Sequence, residues 1–171
     1  MTLRFFLLLA VIHIHINCVK AQNIQHSINQ AKVLIDNGDY EKAYYIIQDI
    51  DEKHVSECGD SCIMMLNYEK GTCLFFLSKY EEAIPHLKKA LLKIEKMPHE
   101  DCNYLEIIYG IGSCYNHLEQ YEKAEEYFRR VIIRNNVEGY ICTIKTQTYR
   151  DLTELYKKLG YTRLAEACAK K

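Results

Sequence analysis

The sequence predicts an all-α fold made of antiparallel helix pairs that repeat along the chain. A tyrosine–acid–x–alanine phrase begins at Tyr40, Tyr80 and Tyr121, and these tyrosines are separated by 40 and 41 residues. Around each phrase, hydrophobic residues recur at helical steps of three and four positions. The chain has 171 residues and only two prolines, so it is long enough for one domain and permissive of long helices.

The composition is that of a folded protein without a marked charge. Hydrophobic residues make up 49% of the chain and charged residues 26%, which is unlike a disordered sequence. The formal net charge is −1, so no basic surplus indicates a nucleic acid or an anionic membrane as partner.

The N-terminal residues differ in kind from the rest of the chain. Arg4 is followed by an apolar run over residues 5–16, which is shorter than the roughly 20 apolar residues needed to span a bilayer. The run leads to small or modest residues ending at Ala21. We therefore expect residues 1–21 to be a signal peptide, which makes the product periplasmic or secreted. No second apolar run of membrane length follows, so no membrane insertion is expected after cleavage.

The register of the repeat extends beyond the phrase itself. A small residue precedes each tyrosine by about nine positions, and an alanine follows it by three. A fourth, degenerate copy has Thr162 in place of the tyrosine. The expected units cover residues 24–60, 64–100, 105–140 and 146–171 of a repeat domain that spans residues 22–171. The residues expected to pack the helices together are Ala31, Tyr40, Ala43, Gly71, Tyr80, Ala83, Gly112, Tyr121, Ala124 and Ala165.

Each unit is predicted to form two helices that approach closely. In the third unit, Gly112 on the first helix and Ala124 on the second carry almost no side chain, and a larger residue at either place would force the helices apart. Pro85 is compatible with this prediction because it lies near the first turn of its helix, where its missing N–H has no intrahelical partner.

These residues resemble the tetratricopeptide repeat family. The resemblance rests on the Gly or Ala, the large residue three positions later, the turn, the tyrosine and the following alanine, and it covers nearly all of residues 24–171. It implies a right-handed α-solenoid of about 3.5 repeats. Two features depart from the family pattern: the period exceeds the usual length of about 34 residues, and the chain contains no tryptophan.

The resemblance also implies a concave groove lined by the first helices, suited to an extended or helical peptide with apolar anchors. The basic clamp of the chaperone-binding members is absent, because Tyr68 and Tyr109 stand at its positions. The alternative is that Phe75 and Phe76 pack on a neighbouring helix and close most of the groove. The implied groove residues are Met65, Tyr68, Thr72, Phe75, Phe76, Glu106, Tyr109, Ser113, Asn116 and His117, with Gln25, Lys32 and Asp36 in the first unit and Arg150, Glu154 and Lys157 in the fourth.

The cysteines fall into two groups by position. Cys73 and Cys114 occupy the same place in successive first helices, where packing is their expected role. Disulfide candidates lie in the connections between units, namely Cys58, Cys62, Cys102 and Cys142. Equivalent points of adjacent repeats are usually too far apart for a disulfide, so an offset pair such as Cys58–Cys102 is expected.

The stretch HVSECGDSC leaves two further readings of these cysteines open. His54, Cys58 and Cys62 are four residues apart, and with His99 and Cys102 they would suit a zinc site. The C-x₃-C spacing would also suit a redox pair, although it is not the usual C-x-x-C.

The sequence contains no motif that assembles a catalytic centre, a phosphate-binding loop or a cofactor site. We therefore expect a non-catalytic scaffold that binds a protein or a peptide and needs no cofactor or metal. Two alternatives stay open: the sensing N-terminal portion of an envelope regulator, and a thiol- or metal-binding protein built on the connection cysteines.

Overall fold

The structure is a computed structural model. It describes the backbone of residues 2–50, 55, 58–97, 101–138 and 143–171, and the side chains of these residues except 2–11, 13, 16–17, 101–102 and 135–138. The helices of this part are α1 (Thr2–Asp36), α2 (Tyr40–Ile47), α3 (Asp60–Phe76), α4 (Tyr80–Ile94), α5 (Asp101–His117), α6 (Tyr121–Glu138), α7 (Thr143–Lys158) and α8 (Thr162–Ala169). No strand occurs in this part of the chain, which confirms the predicted all-α class.

The helices form four consecutive pairs that stack in one direction. Each helix packs against the next in the chain, and the first helices also contact one another, α1 with α3, α3 with α5 and α5 with α7. The second helices of different pairs do not contact one another within the described residues. The first helices therefore line the inner face of a solenoid and the second helices cover its outer face.

A left-handed residue ends the first helix of every pair. Gly38, Ser78, Glu119 and Gly160 have φ values of 81°, 61°, 58° and 76°. In each turn the next residue donates its backbone N–H to a carbonyl five positions earlier, as Lys79 does to Leu74 at 2.8 Å. This pattern satisfies the otherwise unpaired carbonyls at the end of the helix. Two of the four turns thus adopt a conformation that favours glycine without having one.

The small residues of the repeat lie where the helices approach most closely. Ala31, Ala43, Ala83 and Ala124 are fully buried. A Cβ built on Gly112 would lie 2.9 Å from the Phe128 ring, and one on Gly71 would lie 2.6 Å from the Leu87 side chain. Because these distances are shorter than van der Waals contact, larger residues would displace the second helix.

The tyrosine that begins each second helix joins neighbouring pairs. The ring of Tyr40 stacks on Phe76 with centroids 4.2 Å apart, and Tyr80 stacks on His117 at 4.4 Å. At the equivalent place, the ammonium of Lys158 lies 5.6 Å from the centre of the Tyr121 ring. The tyrosine is thus a contact between units as well as within one, because Tyr80 also meets Phe75 of its own pair edge-on at 5.5 Å.

The N-terminal residues continue the first helix. The backbone of α1 runs without a break from Thr2 to Asp36, so the segment expected to be a signal peptide and the first helix of the first pair are one helix here. In the described part of the chain, no helix combines the length and the apolar character needed to cross a membrane.

Candidate partner-binding groove

Two adjoining cavities lie on the inner face, along α3, α5 and α7. The first has a volume of about 210 Å³ and the second about 310 Å³, and they share Phe75, Tyr109 and Ser113. The first is also lined by Tyr68, Thr72, Phe76, Leu87, Glu106, Gly110 and Ile144. The second is also lined by Asn116, His117, Glu119, Gln147, Asp151, Glu154 and Lys158. The shared residues make the two cavities one groove.

Gly110 lines the first cavity and has no side chain to occupy it. In the 41-residue register, Gly110 occupies the place held by Glu69 in the preceding first helix and by Asp151 in the following one. A Cβ at Gly110 would lie 3.4 Å from Leu87, which is ordinary contact, and the space beyond it is open. The repeat therefore leaves a gap at this position without weakening the helix packing around it.

Tyrosine–carboxylate hydrogen bonds join the first helices beneath the groove. The hydroxyl of Tyr68 donates to Glu106 at 2.8 Å, and that of Tyr109 donates to Asp151 at 2.7 Å. Gln147 donates to the other oxygen of Asp151 at 3.0 Å. Burial raises the pKa of both tyrosines, and their carboxylate partners raise it further. Both phenols therefore stay protonated and act as fixed donors to the carboxylates.

Burial also raises the pKa of Asp151, although the hydrogen bonds from Tyr109 and Gln147 and the charge of Arg150 offset part of the rise. On α3, outside the two cavities, burial raises the pKa of Glu69 to about 7; Lys32 opposes the rise, and the nearby carboxylates of Asp36 and Glu106 add to it. The groove itself is lined by four carboxylates, whereas the one Lys or Arg among its described lining residues is Lys158.

The aromatic residues at the end of α3 both pack and line the groove. Phe75 meets His117 edge-on at 5.6 Å, while Phe76 stacks on Tyr40 and still exposes 51% of its surface. The two readings of these phenylalanines that the sequence left open are thus not exclusive. They contact neighbouring aromatic rings, and the cavity beside them remains open.

Two polar atoms in the groove wall have no hydrogen-bond partner among the described residues. They are the hydroxyl oxygen of Ser113, a residue 5% exposed, and the buried side-chain carbonyl oxygen of Asn116. The Ser113 hydroxyl offsets part of the rise in the pKa of Tyr109, but the two oxygens are not placed as a hydrogen bond. Buried polar atoms of native proteins usually have a partner, so these two oxygens are unsatisfied acceptors in the wall of the groove.

The structure brings together nine of the ten groove residues implied by the resemblance, and Met65 is the exception. Met65 packs against both hydrophobic clusters of the core. Of the residues implied for the fourth unit, Glu154 lines the groove, whereas Arg150 and Lys157 line a separate pocket near the C-terminus. In the first unit, Gln25 approaches the Cys62 sulfur at 2.9 Å rather than the groove.

Several groove residues were not anticipated. Leu87 belongs to a second helix, and Gly110, Ile144, Gln147, Asp151, Glu119 and Lys158 lie at or beside first-helix positions. Asp151 is one position after Arg150, which was the residue inferred from the register. Successive residues of a helix point about 100° apart. Arg150 and Asp151 therefore face different directions, and Asp151 is the one that faces the groove.

The structure places a disulfide between Cys58 and Cys62, whose Cα atoms are 5.7 Å apart. This bond corrects the Cys58–Cys102 pair expected from the sequence. The two cysteines flank the start of α3, so one helical turn brings them within bonding range without a partner from another unit. The side chain of Cys102 and all of His54, His99 and Cys142 lie outside the described residues.

Cys73 and Cys114 are fully buried free thiols, and burial raises the pKa of each to about 12. They act as small core residues, as their positions indicated, and remain protonated at neutral pH. Within the described residues, no group of three His, Cys, Asp or Glu side chains is placed to hold a metal ion.

The disulfide is checked by counting accessible thiols in the unfolded, non-reduced chain. Because Cys58 and Cys62 protect each other, we expect Cys58→Ser and Cys62→Ser each to expose one thiol more than the wild type. The double substitution should leave the count unchanged. A decrease for Cys62→Ser alone would mean that Cys62 is free and that Cys58 pairs with another cysteine.

Comparison with known proteins supports this architecture. Residues 62–132 match the tetratricopeptide repeat family. A search of curated proteins gives no significant match. Three solved structures are similar over most of the chain.

The TPR domain of Arabidopsis FLU has a TM-score of 0.58 and 24% identity, covering 70% of this chain and 99% of that one. A putative kinesin light chain from Podospora anserina with nearly identical TPR-like repeats has a TM-score of 0.63 and 14% identity, covering 86% and 72%. BtubC (BKLC) from P. vanneervenii has a TM-score of 0.55 and 16% identity, covering 92% and 87%.

The fold is that of a helical-repeat solenoid, in which stacked helix pairs form a concave inner face. Residues 62–132 match the tetratricopeptide repeat family, and the solved structures show a similar fold over most of the chain.

Proposed function

We propose that this chain is an exported, non-catalytic scaffold that binds a protein or a peptide in the groove along α3, α5 and α7. The observation that carries the proposal is the open cavity of about 210 Å³ between packed first helices, lined largely by aromatic and aliphatic side chains. An apolar side chain of a partner gains free energy by leaving water for such a site. Export is supported by the sequence of residues 1–21.

The chemistry of the groove favours binding over catalysis. Tyr68 and Tyr109 hold their protons and are committed to Glu106 and Asp151. The Ser113 hydroxyl has no hydrogen-bond partner among the described residues, so no base is placed there to activate it. The polar groups of the groove are therefore suited to accept hydrogen bonds from a bound molecule.

The test is selection of peptides from a random-sequence library on the purified chain, followed by affinity measurement with the selected peptides. Gly110→Leu fills the first cavity and is expected to reduce affinity at least tenfold. Phe75→Ala, which removes one wall, provides a second variant in case the first disturbs the helix. Leu92→Ala, at an exposed position on α4, is the matched control and should bind like the wild type. Equal binding by all three variants would contradict the groove proposal.

A further inference from the structure

We infer that the partner segment carries a lysine or arginine close to an apolar residue, and that the groove receives the two side chains in its two cavities. The apolar side chain occupies the first cavity and the cationic group occupies the second. This inference rests on the proposed function, because it specifies the chemistry of the segment that the same groove binds.

The first cavity is shaped for an apolar side chain. Leu87, Gly110 and Ile144 form part of its lining, and Phe75 stands between it and the second cavity. Its one carboxylate, Glu106, already accepts the hydrogen bond of Tyr68 at 2.8 Å. An aliphatic or aromatic side chain would therefore meet apolar contacts here without leaving a new polar group unpaired.

The second cavity is shaped for a cation. Glu119, Asp151 and Glu154 line it, and the one Lys or Arg among its described lining residues is Lys158. The ammonium of Lys158 lies 5.6 Å from the centre of the Tyr121 ring, so part of its charge already faces an aromatic surface. The remaining negative charge attracts a positively charged side chain and repels an acidic one.

The unpartnered oxygens of the wall fit the same ligand chemistry, although both are buried, so a ligand reaches them only when these side chains turn toward the cavity. The side-chain carbonyl of Asn116 can only accept a hydrogen bond, and the Ser113 hydroxyl can accept one as well. An ammonium offers three donors and a guanidinium five, with no acceptors. A carboxylate ligand would leave the Asn116 oxygen unsatisfied and would face three carboxylates, so an acidic segment is disfavoured on both grounds.

A continuous peptide suits this arrangement better than a small amine. The two cavities share Phe75, Tyr109 and Ser113, so one molecule can fill both without a break. The aligned first helices form a strip along which an extended or helical segment can lie, with successive side chains directed to different cavities. A free amine would fill only the second cavity and would gain nothing from the first.

The test is an array of synthetic peptides on an alanine–serine host. Each peptide contains one leucine and one arginine, at spacings from adjacent to four residues apart, and each has matched versions with glutamine or glutamate in place of arginine. We expect arginine peptides of the best spacing to bind wild type about tenfold tighter than their glutamine versions, equivalent to about 1.4 kcal/mol. The difference should shrink in Glu154→Gln and disappear in Glu154→Lys, which leaves two carboxylates and two ammonium groups in the lining of the second cavity.

The control is Glu81→Gln, an exposed residue on α4 outside the groove, which should keep the arginine preference. Glu154 is also exposed, so its substitution should not affect folding. If glutamine or glutamate peptides bind as well as arginine peptides and Gly110→Leu abolishes this binding, the inference is overturned while the groove remains the binding site. If no peptide binds, or if Gly110→Leu has no effect, the inference and the proposed function both fail.

Discussion

Replacing Glu69 with glutamine is expected to raise the free energy of unfolding by about 3 kcal/mol at about pH 8 and to have little effect near pH 4. Glu69 lies on α3 and is only 3% exposed. Burial raises the pKa of its carboxyl group to about 7 in the folded chain, compared with 4.5 for an unperturbed glutamate. Glutamine has nearly the same shape and carries no charge, so the substitution removes the desolvation penalty.

The direction of the pH dependence follows from proton binding. The folded chain binds the Glu69 proton more tightly than the unfolded chain, so the stability associated with this group is fully present below about pH 4.5. It is lost as pH rises through about 7. Burial is the largest cause of the raised pKa, and the charges that modify it are Lys32 and Asp36 on α1 and Glu106 on α5, with Lys32 alone lowering the pKa.

Urea unfolding of wild type and Glu69→Gln over this pH range provides the measurement. The difference between the two proteins isolates Glu69 from all other titrating groups. Glu81→Gln, at an exposed position on α4, is the matched control and should stay within about 0.5 kcal/mol of wild type throughout. A constant difference between Glu69→Gln and wild type across the range would show that Glu69 has the same pKa in the folded and the unfolded chain, which would contradict the prediction.

Replacing Gly112 with alanine is expected to lower the free energy of unfolding by about 2 kcal/mol. Alanine is the better helix former by about 1 kcal/mol, so a simple propensity argument predicts the opposite sign. The added Cβ would lie 2.9 Å from the ring of Phe128 and 3.2 Å from the Cβ of Tyr127. Phe128 is fully buried, so its ring can move only by displacing α6.

Gly110→Ala is the matched control, two residues earlier on the same helix. Its Cβ would meet Leu87 at 3.4 Å, which is ordinary contact. We therefore expect this substitution to stabilise the chain by up to about 1 kcal/mol through helix propensity alone. Thermal or urea unfolding of the two variants checks the prediction, and stabilisation by both would mean that α5 and α6 can separate without cost.

The sequence allowed the fold to be predicted because the residues that define it act locally. Gly112, Ala124 and the tyrosine phrase each repeat at about 41 residues, and each has a packing role that depends only on its own pair and the next. Because every unit makes the same contacts with its neighbours, the residues that make them recur at a fixed spacing in the sequence. The left-handed turns at Ser78 and Glu119 were expected as turns, but nothing in those residue types indicates a positive φ.

The site was less predictable because it depends on differences between the units. The first cavity is lined by Leu87, Gly110 and Ile144, which belong to three different helices. The cavity becomes evident only when the side chains of all three helices are placed in three dimensions. The partners of the groove carboxylates are similarly non-local, since Tyr68 and Glu106 are 38 residues apart. The Cys58–Cys62 bond joins the C-x₃-C pair that the sequence left open as a redox pair, whereas the expected disulfide was one between units.

The contacts on the repeated tyrosines differ in kind between the junctions of the solenoid. Two of these joints are stacked rings, Tyr40 with Phe76 and Tyr80 with His117, whereas the last is the ammonium of Lys158 over Tyr121. A stacked pair contributes about 0.5–1.5 kcal/mol and a solvent-exposed cation–π contact about 0.5–1 kcal/mol. The third and fourth helix pairs are therefore joined at this place by the contact type with the lower upper limit. A cation bound between α5 and α7 would add a second electrostatic link across the same junction.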